Sequence, residues 1–170
     1  MTKQKTGPSC MKGFTLVEVL VASVLVAIGV TSLLAAMATS TQSNTAGRDL
    51  AQGALLCQEI REWTLGLPLT DPDPESQDNP PGPDGSDPQT FVDDLDDLLG
   101  VTFSPPRDAS GLAITDMDQW SQTINITWRK SGDVSTTVLA GSSDVVYVEV
   151  VISRLGNEVC RTGWIVANKE

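Results

Sequence analysis

The chain changes character at Lys12-Gly13-Phe14-Thr15-Leu16-Val17-Glu18-Val19-Leu20-Val21. A polar leader ends at Gly13, and an apolar run from Phe14 to Ala38 follows, with Glu18 as its single charge. About 20 apolar residues are enough for a helix to cross a bilayer. An acid near the start of such a helix is costly in hydrocarbon, so Glu18 is a candidate functional residue.

The charges before Glu18 are all positive and belong to Lys3, Lys5 and Lys12. Because positive flanks stay in the cytoplasm, this pattern predicts a cytoplasmic N-terminus and an exported C-terminal part. A secretory signal peptide has a shorter apolar region, with its small-residue cleavage site after that region. Here the glycine precedes the apolar run, so a cut at Gly13 leaves the helix attached to the rest of the chain.

The stretch Gly13-Phe14-Thr15-Leu16-Val17-Glu18 resembles the processing site of the type IV pilin and type II secretion pseudopilin superfamily. In that family a prepilin peptidase cuts after the glycine and N-methylates the new first residue, and the fifth mature residue is glutamate. The resemblance implies cleavage between Gly13 and Phe14, methylation of Phe14 and an assembly role for Glu18. The alternative is an ordinary signal anchor, which requires neither Gly13 nor Glu18.

The segment from Glu18 to Gly29 is similar to the minor pilins of the pilus-modification group and to the minor pseudopilins of type II secretion. This resemblance implies a minor subunit that is inserted once in the bacterial inner membrane, with its C-terminal domain in the periplasm. Its partners would be prepilin peptidase and other pilin or pseudopilin subunits. It would form a filament with those subunits, and no cofactor is expected. The alternative is a filament-displayed binding module, either calcium-dependent or adhesive.

The assembly role of Glu18 has a physical basis. Cleavage would create a fresh amine on Phe14, and this amine can pair with the carboxylate of its own or a neighbouring subunit. Such pairing lowers the cost of an acid in hydrocarbon and fixes the axial register, as a buried polar residue does in a coiled coil. The alternative is that Glu18 lies close enough to the membrane interface to stay solvated.

The composition excludes several classes of function. The net charge is −11 and the isoelectric point is about 4.2, which argues against nucleic-acid binding because that function needs a basic patch. The chain has no histidine, so histidine-dependent catalytic and metal sites are absent. Neither a nucleophile with a base nor a phosphate-binding loop is recognisable. We therefore expect a protein that is not an enzyme.

The chain divides by composition into five segments. Residues 1–13 form the leader, residues 14–38 the transmembrane half of one long helix, and residues 39–66 its amphipathic half. Residues 67–111 form an acidic loop rich in proline, aspartate and glycine, and residues 112–170 alternate as strands do. This order predicts an α+β, pilin-like fold, in which the amphipathic half of the helix packs on an antiparallel sheet of about four strands.

Several details follow for the two packed layers. Leu50, Ala54, Leu55, Leu56, Cys57, Ile60 and Trp63 are the apolar helical residues expected against the sheet, whereas Arg48, Asp49 and Glu62 are expected in water. The strands are expected at Trp120–Arg129, Val134–Ala140, Asp144–Ser153 and Glu158–Val166. Trp120, Trp128 and Trp164 suit sheet packing better than a ligand-binding surface.

The acidic loop carries two further hypotheses. A short helix is expected over Thr90–Leu99, with Thr90 as its cap, Asp93 and Asp94 favouring its N-terminal dipole, and Phe91, Leu95 and Leu98 on one side. The acids of the loop also offer hard oxygen ligands for calcium, although acidic loops are usually only solvated. The calcium candidates are Asp71, Asp73, Asp78, Asp84 and Asp87.

The cysteines suggest a disulfide. Cys10 lies in the leader, which leaves Cys57 and Cys160 as an even pair in an oxidising compartment. Their spacing does not suit a metal site, which needs clustered ligands. A disulfide between them would tie the long helix to the last strand, and two unpaired buried thiols are the alternative.

Overall fold

The computed structural model describes residues 13–71, 80–83 and 91–168. The elements in chain order are the helix α1 (Leu16–Gly66), a 3-10 turn (Asp96–Leu98) and the strands β1 (Thr102–Phe103), β2 (Trp120–Lys130), β3 (Asp133–Thr137), β4 (Val145–Arg154) and β5 (Asn157–Ala167). The chain divides into two compact units, residues 1–46 and 47–170. The predicted α+β fold, with a long N-terminal helix and a C-terminal antiparallel sheet, is confirmed.

The first unit contains the apolar part of α1. The helix begins at Leu16 rather than Phe14, and Thr15 caps it, since the Glu18 N–H donates to the Thr15 carbonyl at 3.1 Å and to its Oγ1 at 3.3 Å. An 18-residue window of α1 has a mean hydropathy of 2.5, and none of that window is buried. The helix is therefore long and apolar enough to cross a membrane.

The hydroxyl groups in this apolar segment have partners inside the helix. Ser23 donates to the Val19 carbonyl at 2.8 Å, and Ser32 donates to the Ile28 carbonyl at 2.8 Å. Hydrogen bonding of a hydroxyl to the preceding turn removes its need for water. These side chains are therefore compatible with a hydrocarbon surrounding, in which an unpaired polar group costs several kcal/mol.

In the second unit, α1 buries a narrow stripe against the sheet. Its buried residues, at three- and four-residue spacing, are Gly53, Leu56, Cys57, Ile60 and Thr64. The prediction was correct for Leu56, Cys57 and Ile60. It was wrong for Leu50, Ala54 and Leu55, which are exposed.

Asp49 also departs from the prediction. Its carboxylate accepts a hydrogen bond from Arg154 at the end of β4, and the Arg154 guanidinium lies 5.6 Å from the centre of the Trp120 ring. Both partners of the ion pair are half-exposed, so the pair orients the helix on the sheet more than it stabilises the fold.

The described residues form a sheet of five strands, all in antiparallel pairs, in the order β1-β2-β4-β5, with β3 paired to the end of β2. Residues alternate between buried and half-buried along β2 and β4, as the period-two pattern predicted. The buried face includes Trp120, Ile124, Ile126, Trp128, Val146, Val148, Val150 and Ile152. Trp164 is half-buried against the same core. Aromatic packing in the sheet is thereby confirmed for Trp120 and Trp128.

The described sheet has one strand more than the approximate number of four that the sequence predicts. The strand β1 lies within the predicted loop of residues 67–111 and has only two residues, too few to show an alternation. Phe103 of this strand is 1% exposed and packs 5.8 Å from the ring of Trp63, between ring centres. The strand therefore closes the core beside the helix.

The short helix expected over Thr90–Leu99 is present only as the 3-10 turn at Asp96–Leu98. Thr90 lies outside the described residues, and residues 91–95 are not helical. The Oδ1 of Asp94 accepts the N–H groups of Asp96 and Asp97, at 3.0 and 3.2 Å, as the side chain of a helix N-cap does, so the helical turn starts after Asp94 and not at Thr90. Leu95 and Leu98 are fully buried, whereas Phe91 is 53% exposed.

Gln122 connects three parts of the second unit. Its fully buried side chain accepts the Arg107 N–H at 2.6 Å and donates to the carbonyls of Arg107 at 3.1 Å and of Leu56 in α1 at 3.3 Å. The hydrogen-bonding groups of this buried amide all have partners. Removing the amide would leave those partners without their hydrogen bonds, which is costly in a buried position. Gln122 thereby fixes the loop before Ala113 against both the strand and the helix.

We expect Gln122→Leu to lower the free energy of unfolding by about 1–3 kcal/mol, because the Arg107 N–H loses its acceptor in a buried site. The matched control is Thr123→Val, one residue along the same strand, where the hydroxyl pairs with Thr102 in an exposed position. Urea unfolding followed by tryptophan fluorescence measures both variants. Equal stability of Gln122→Leu and the unmodified protein would contradict a bracing role for this amide.

Candidate functional site

The residues of the expected cleavage site lie just before the helix. Gly13, Phe14 and Thr15 have no regular secondary structure, and α1 begins at Leu16. A Cβ at Gly13 would have no neighbour within 4 Å, and Phe14 is 81% exposed. The peptide bond between Gly13 and Phe14 is therefore open to an enzyme, and no helical hydrogen bond has to break before it is cut.

Glu18 lies in the first turn of α1. A negative side chain is favourable there because the unpaired N–H groups give the helix start a partial positive charge. Phe14 lies before the helix begins, but it lines the same groove as Glu18. An amine created at Phe14 would therefore lie near the start of α1, on the side of the helix that carries the Glu18 carboxylate.

The surface around Glu18 is apolar and contains small side chains. Phe14, Ala22, Ser23, Val26 and Ala27 line one shallow groove with it. Small residues allow the backbones of two membrane helices to approach closely. The groove is therefore suited to a second apolar helix or to lipid chains.

The expected calcium ligands are largely untested. Asp71 is half-buried, and Asp73, Asp78, Asp84 and Asp87 lie outside the described residues. The structure instead gathers Asp93, Asp94 and Asp97, each of which offers a carboxylate oxygen within 4.8 Å of the others. This group was missed because the calcium candidates were all taken from the part of the loop before Thr90. The sequence feature that points to the group is the occurrence of aspartates on both sides of the apolar residue Leu95.

The electrostatic surroundings of Asp93 and Asp94 disfavour their charged forms. Burial raises the pKa of Asp93, and the nearby carboxylates of Asp97 and Asp71 raise it further. Burial also raises the pKa of Asp94, although hydrogen bonds from Asp96 and Asp97 act against this. The Oδ1 of Asp93 is buried without a hydrogen-bond partner. Hard oxygen atoms in this arrangement could hold a divalent cation, which would offset their repulsion.

The structure brings Cys57 and Cys160 together. Their sulfur atoms lie 3.6 Å apart as thiols, with Cys57 only 5% exposed and Cys160 half-buried. The proximity that a disulfide requires is therefore present, and oxidation of the pair stays a prediction. Cys10 lies outside the described residues.

Residues 9–39 match the family model described as the prokaryotic N-terminal methylation motif. The matched segment contains Gly13, Phe14 and Glu18 and most of the apolar part of α1. The match supports the type IV pilin and pseudopilin superfamily that the resemblance indicated. The chain has no significant match among curated proteins or among solved structures.

Lowering the pH should reduce the repulsion among these acidic residues. In the unfolded chain, Asp93 and Asp94 have pKa values near 3.8. A raised pKa means that the folded state still holds a proton at a pH at which the unfolded state has released it. Lowering the pH from neutrality through this window should therefore raise the contribution of these groups to the free energy of unfolding. Urea unfolding measures this free energy from pH 7 to pH 4. It should rise less in Asp93→Asn than in the unmodified protein as the pH falls.

The matched control is Asp133→Asn. Hydrogen bonds from Ser135 and Thr136 lower the pKa of Asp133, so its stabilisation is lost as the pH falls, the opposite direction. An unchanged pH profile in Asp93→Asn would show that the carboxylate of Asp93 is not strained in the folded protein.

Proposed function

We propose that this chain is a minor pilin or minor pseudopilin, a membrane-inserted precursor that is built into a type IV pilus or a type II secretion pseudopilus. The observation that carries the proposal is the methylation motif at residues 9–39, which coincides with an accessible Gly13–Phe14 bond and an exposed apolar helix. Prepilin peptidase would cut this bond and methylate Phe14. The chain would then act as a structural subunit and not as an enzyme.

The arrangement in the membrane follows from the charges. Lys3, Lys5 and Lys12 would stay in the cytoplasm, and the acidic second unit would lie in the periplasm. The apolar part of α1 would remain in the inner membrane after cleavage, because the cut precedes it. This helix holds the subunit in the bilayer until assembly moves it into a filament.

Assembly would exchange one apolar surrounding for another. The exposed apolar side chains of α1 contact lipid before assembly and the helices of other subunits afterwards, so little hydrophobic free energy drives the exchange by itself. A pairing between the Phe14 amine and a Glu18 carboxylate supplies a specific contact. In a low dielectric a charge without its partner is costly. The pair therefore favours the register between subunits in which the amine and the carboxylate meet.

A second candidate function is the calcium-dependent binding module. The observation that favours it is the approach of Asp93, Asp94 and Asp97 within 4.8 Å, together with the unpaired Oδ1 of Asp93. A ligand that binds only the folded state raises its stability. A rise in the melting temperature on adding calcium, absent in Asp97→Asn, would favour this candidate.

We expect Glu18→Ala to be inserted and cleaved like the unmodified precursor but to enter filaments at least about tenfold less, because the charge pair that fixes its register is lost. Sheared filaments and membranes, probed for the subunit, measure its distribution. Glu62→Ala is the matched control, since it removes an exposed acid of the same helix in the second unit. Normal incorporation of Glu18→Ala would contradict the proposed role of this carboxylate.

A further inference from the structure

We propose that Cys57 and Cys160 form an oxidation site, at which Cys160 reacts first with an external disulfide and Cys57 then completes an internal disulfide between α1 and β5. The occurrence of this step in the cell rests on the proposed periplasmic location of the second unit. Its chemistry in the purified chain does not, because the reaction depends only on the geometry and exposure of the two thiols.

The two thiols face each other across a close contact of helix and sheet. Gly53 lies one helical turn before Cys57, and a Cβ placed on Gly53 would be 3.2 Å from the Cβ of Cys160 and 3.2 Å from a Val159 methyl group. A Cβ at position 53 would therefore contact both side chains more closely than ordinary van der Waals packing. The absence of a side chain at Gly53 therefore allows the backbone of α1 to approach the strand that carries Cys160.

The position of Cys160 is also fixed from the sheet side. Cys160 pairs with Ile152 of β4 in the antiparallel register, and Ile152 is fully buried in the core. Cys57 lies beside Leu56, which is 1% exposed. Both thiols are thus held by ordered elements on both sides of their contact, and the 3.6 Å separation of their sulfur atoms needs only a small adjustment to become a bond.

The unequal environments of the thiols set the order of reaction. Burial and the neighbouring Cys160 raise the pKa of Cys57 to about 12, so Cys57 is rarely a thiolate and is poorly reached by a bulky oxidant. Cys160 is half-buried on β5, which is the edge strand of the sheet. An external disulfide therefore meets Cys160 first.

The reaction balances with a disulfide as the oxidant, supplied by a periplasmic thiol oxidase or by oxidised glutathione. The Cys160 thiol loses its proton and its sulfur attacks one sulfur of the oxidant, so the oxidant's S–S bond breaks and the other half leaves as a thiolate. The Cys57 sulfur, after losing its proton, attacks the Cys160 sulfur and expels the second half. Two electrons and two protons pass from the chain to the oxidant, which ends as two thiols.

The bond would close a long loop. Cys57 and Cys160 are separated by 103 positions, and that interval contains the 3-10 turn and strands β1 to β4. A cross-link over such a loop restricts the unfolded chain strongly. We expect the melting temperature of the second unit to be higher by at least about 10 °C in the oxidised chain than in the reduced chain.

The test uses the full chain with Cys10→Ser, purified in detergent, reduced and then exposed to oxidised glutathione. Intact mass and tagging with a maleimide should show conversion to an internal disulfide with no glutathione retained. In the same background, Cys57→Ser should accumulate an adduct of one glutathione, and Cys160→Ser should react at least about tenfold more slowly. Two retained glutathiones, or two thiols that stay free, would overturn the proposal.

Failure of this proposal and failure of the proposed function are distinguishable. The glutathione reaction is independent of leader cleavage, whereas the mass of the N-terminal peptide is independent of the thiols. In membranes, the two thiols of the second unit should resist tagging until a reductant is added. Free thiols there, with a purified chain that oxidises normally, would place the second unit in a reducing compartment and so contradict its export instead.

Discussion

The apolar surface of the first unit is the constraint on which the rest of the molecule depends. Its helix satisfies the hydroxyl groups of Ser23 and Ser32 internally, yet leaves large apolar side chains exposed. Water is a poor solvent for such a surface, and hydrocarbon is a good one. The helix is therefore suited to a bilayer, and the proposed function as a membrane-anchored filament subunit would give it lipid before assembly and other apolar helices afterwards.

The second unit, in contrast, buries apolar side chains in a core of its own. Its part of α1 is amphipathic over a narrow stripe, in which Leu56, Cys57 and Ile60 are buried against the sheet. Gln122 joins helix, strand and loop through one buried amide, and Asp49 pairs with Arg154 at the rim. Because these contacts come from distant parts of the chain, the unit can form an ordered core in water while the same helix carries a lipid-compatible segment.

Local patterns predicted the parts of the fold that have a clear period. The apolar run after Phe14 and the alternation along β2 and β4 lead directly to the helix and the sheet. Contacts between remote residues were not predictable: the pairing of Asp49 with Arg154 spans 105 positions, and no periodicity encodes it. The two-residue strand β1 is too short to show a pattern, and the expected helix is reduced to the turn at Asp96–Leu98, which starts only after Asp94, whose carboxylate accepts the N–H groups of Asp96 and Asp97.

The candidate site divides in the same way. Gly13, Phe14 and Glu18 form a contiguous motif whose chemistry depends on sequence order, so the sequence alone identifies it. The cluster of Asp93, Asp94 and Asp97 depends on how a loop folds over Leu95 and Leu98, and it became visible only in three dimensions. The most direct test of the central claim is the mass of the N-terminal peptide of the protein, isolated from membranes that contain its own prepilin peptidase. The account predicts a chain that begins at N-methylated Phe14, and a chain that retains Met1 to Gly13 would contradict it.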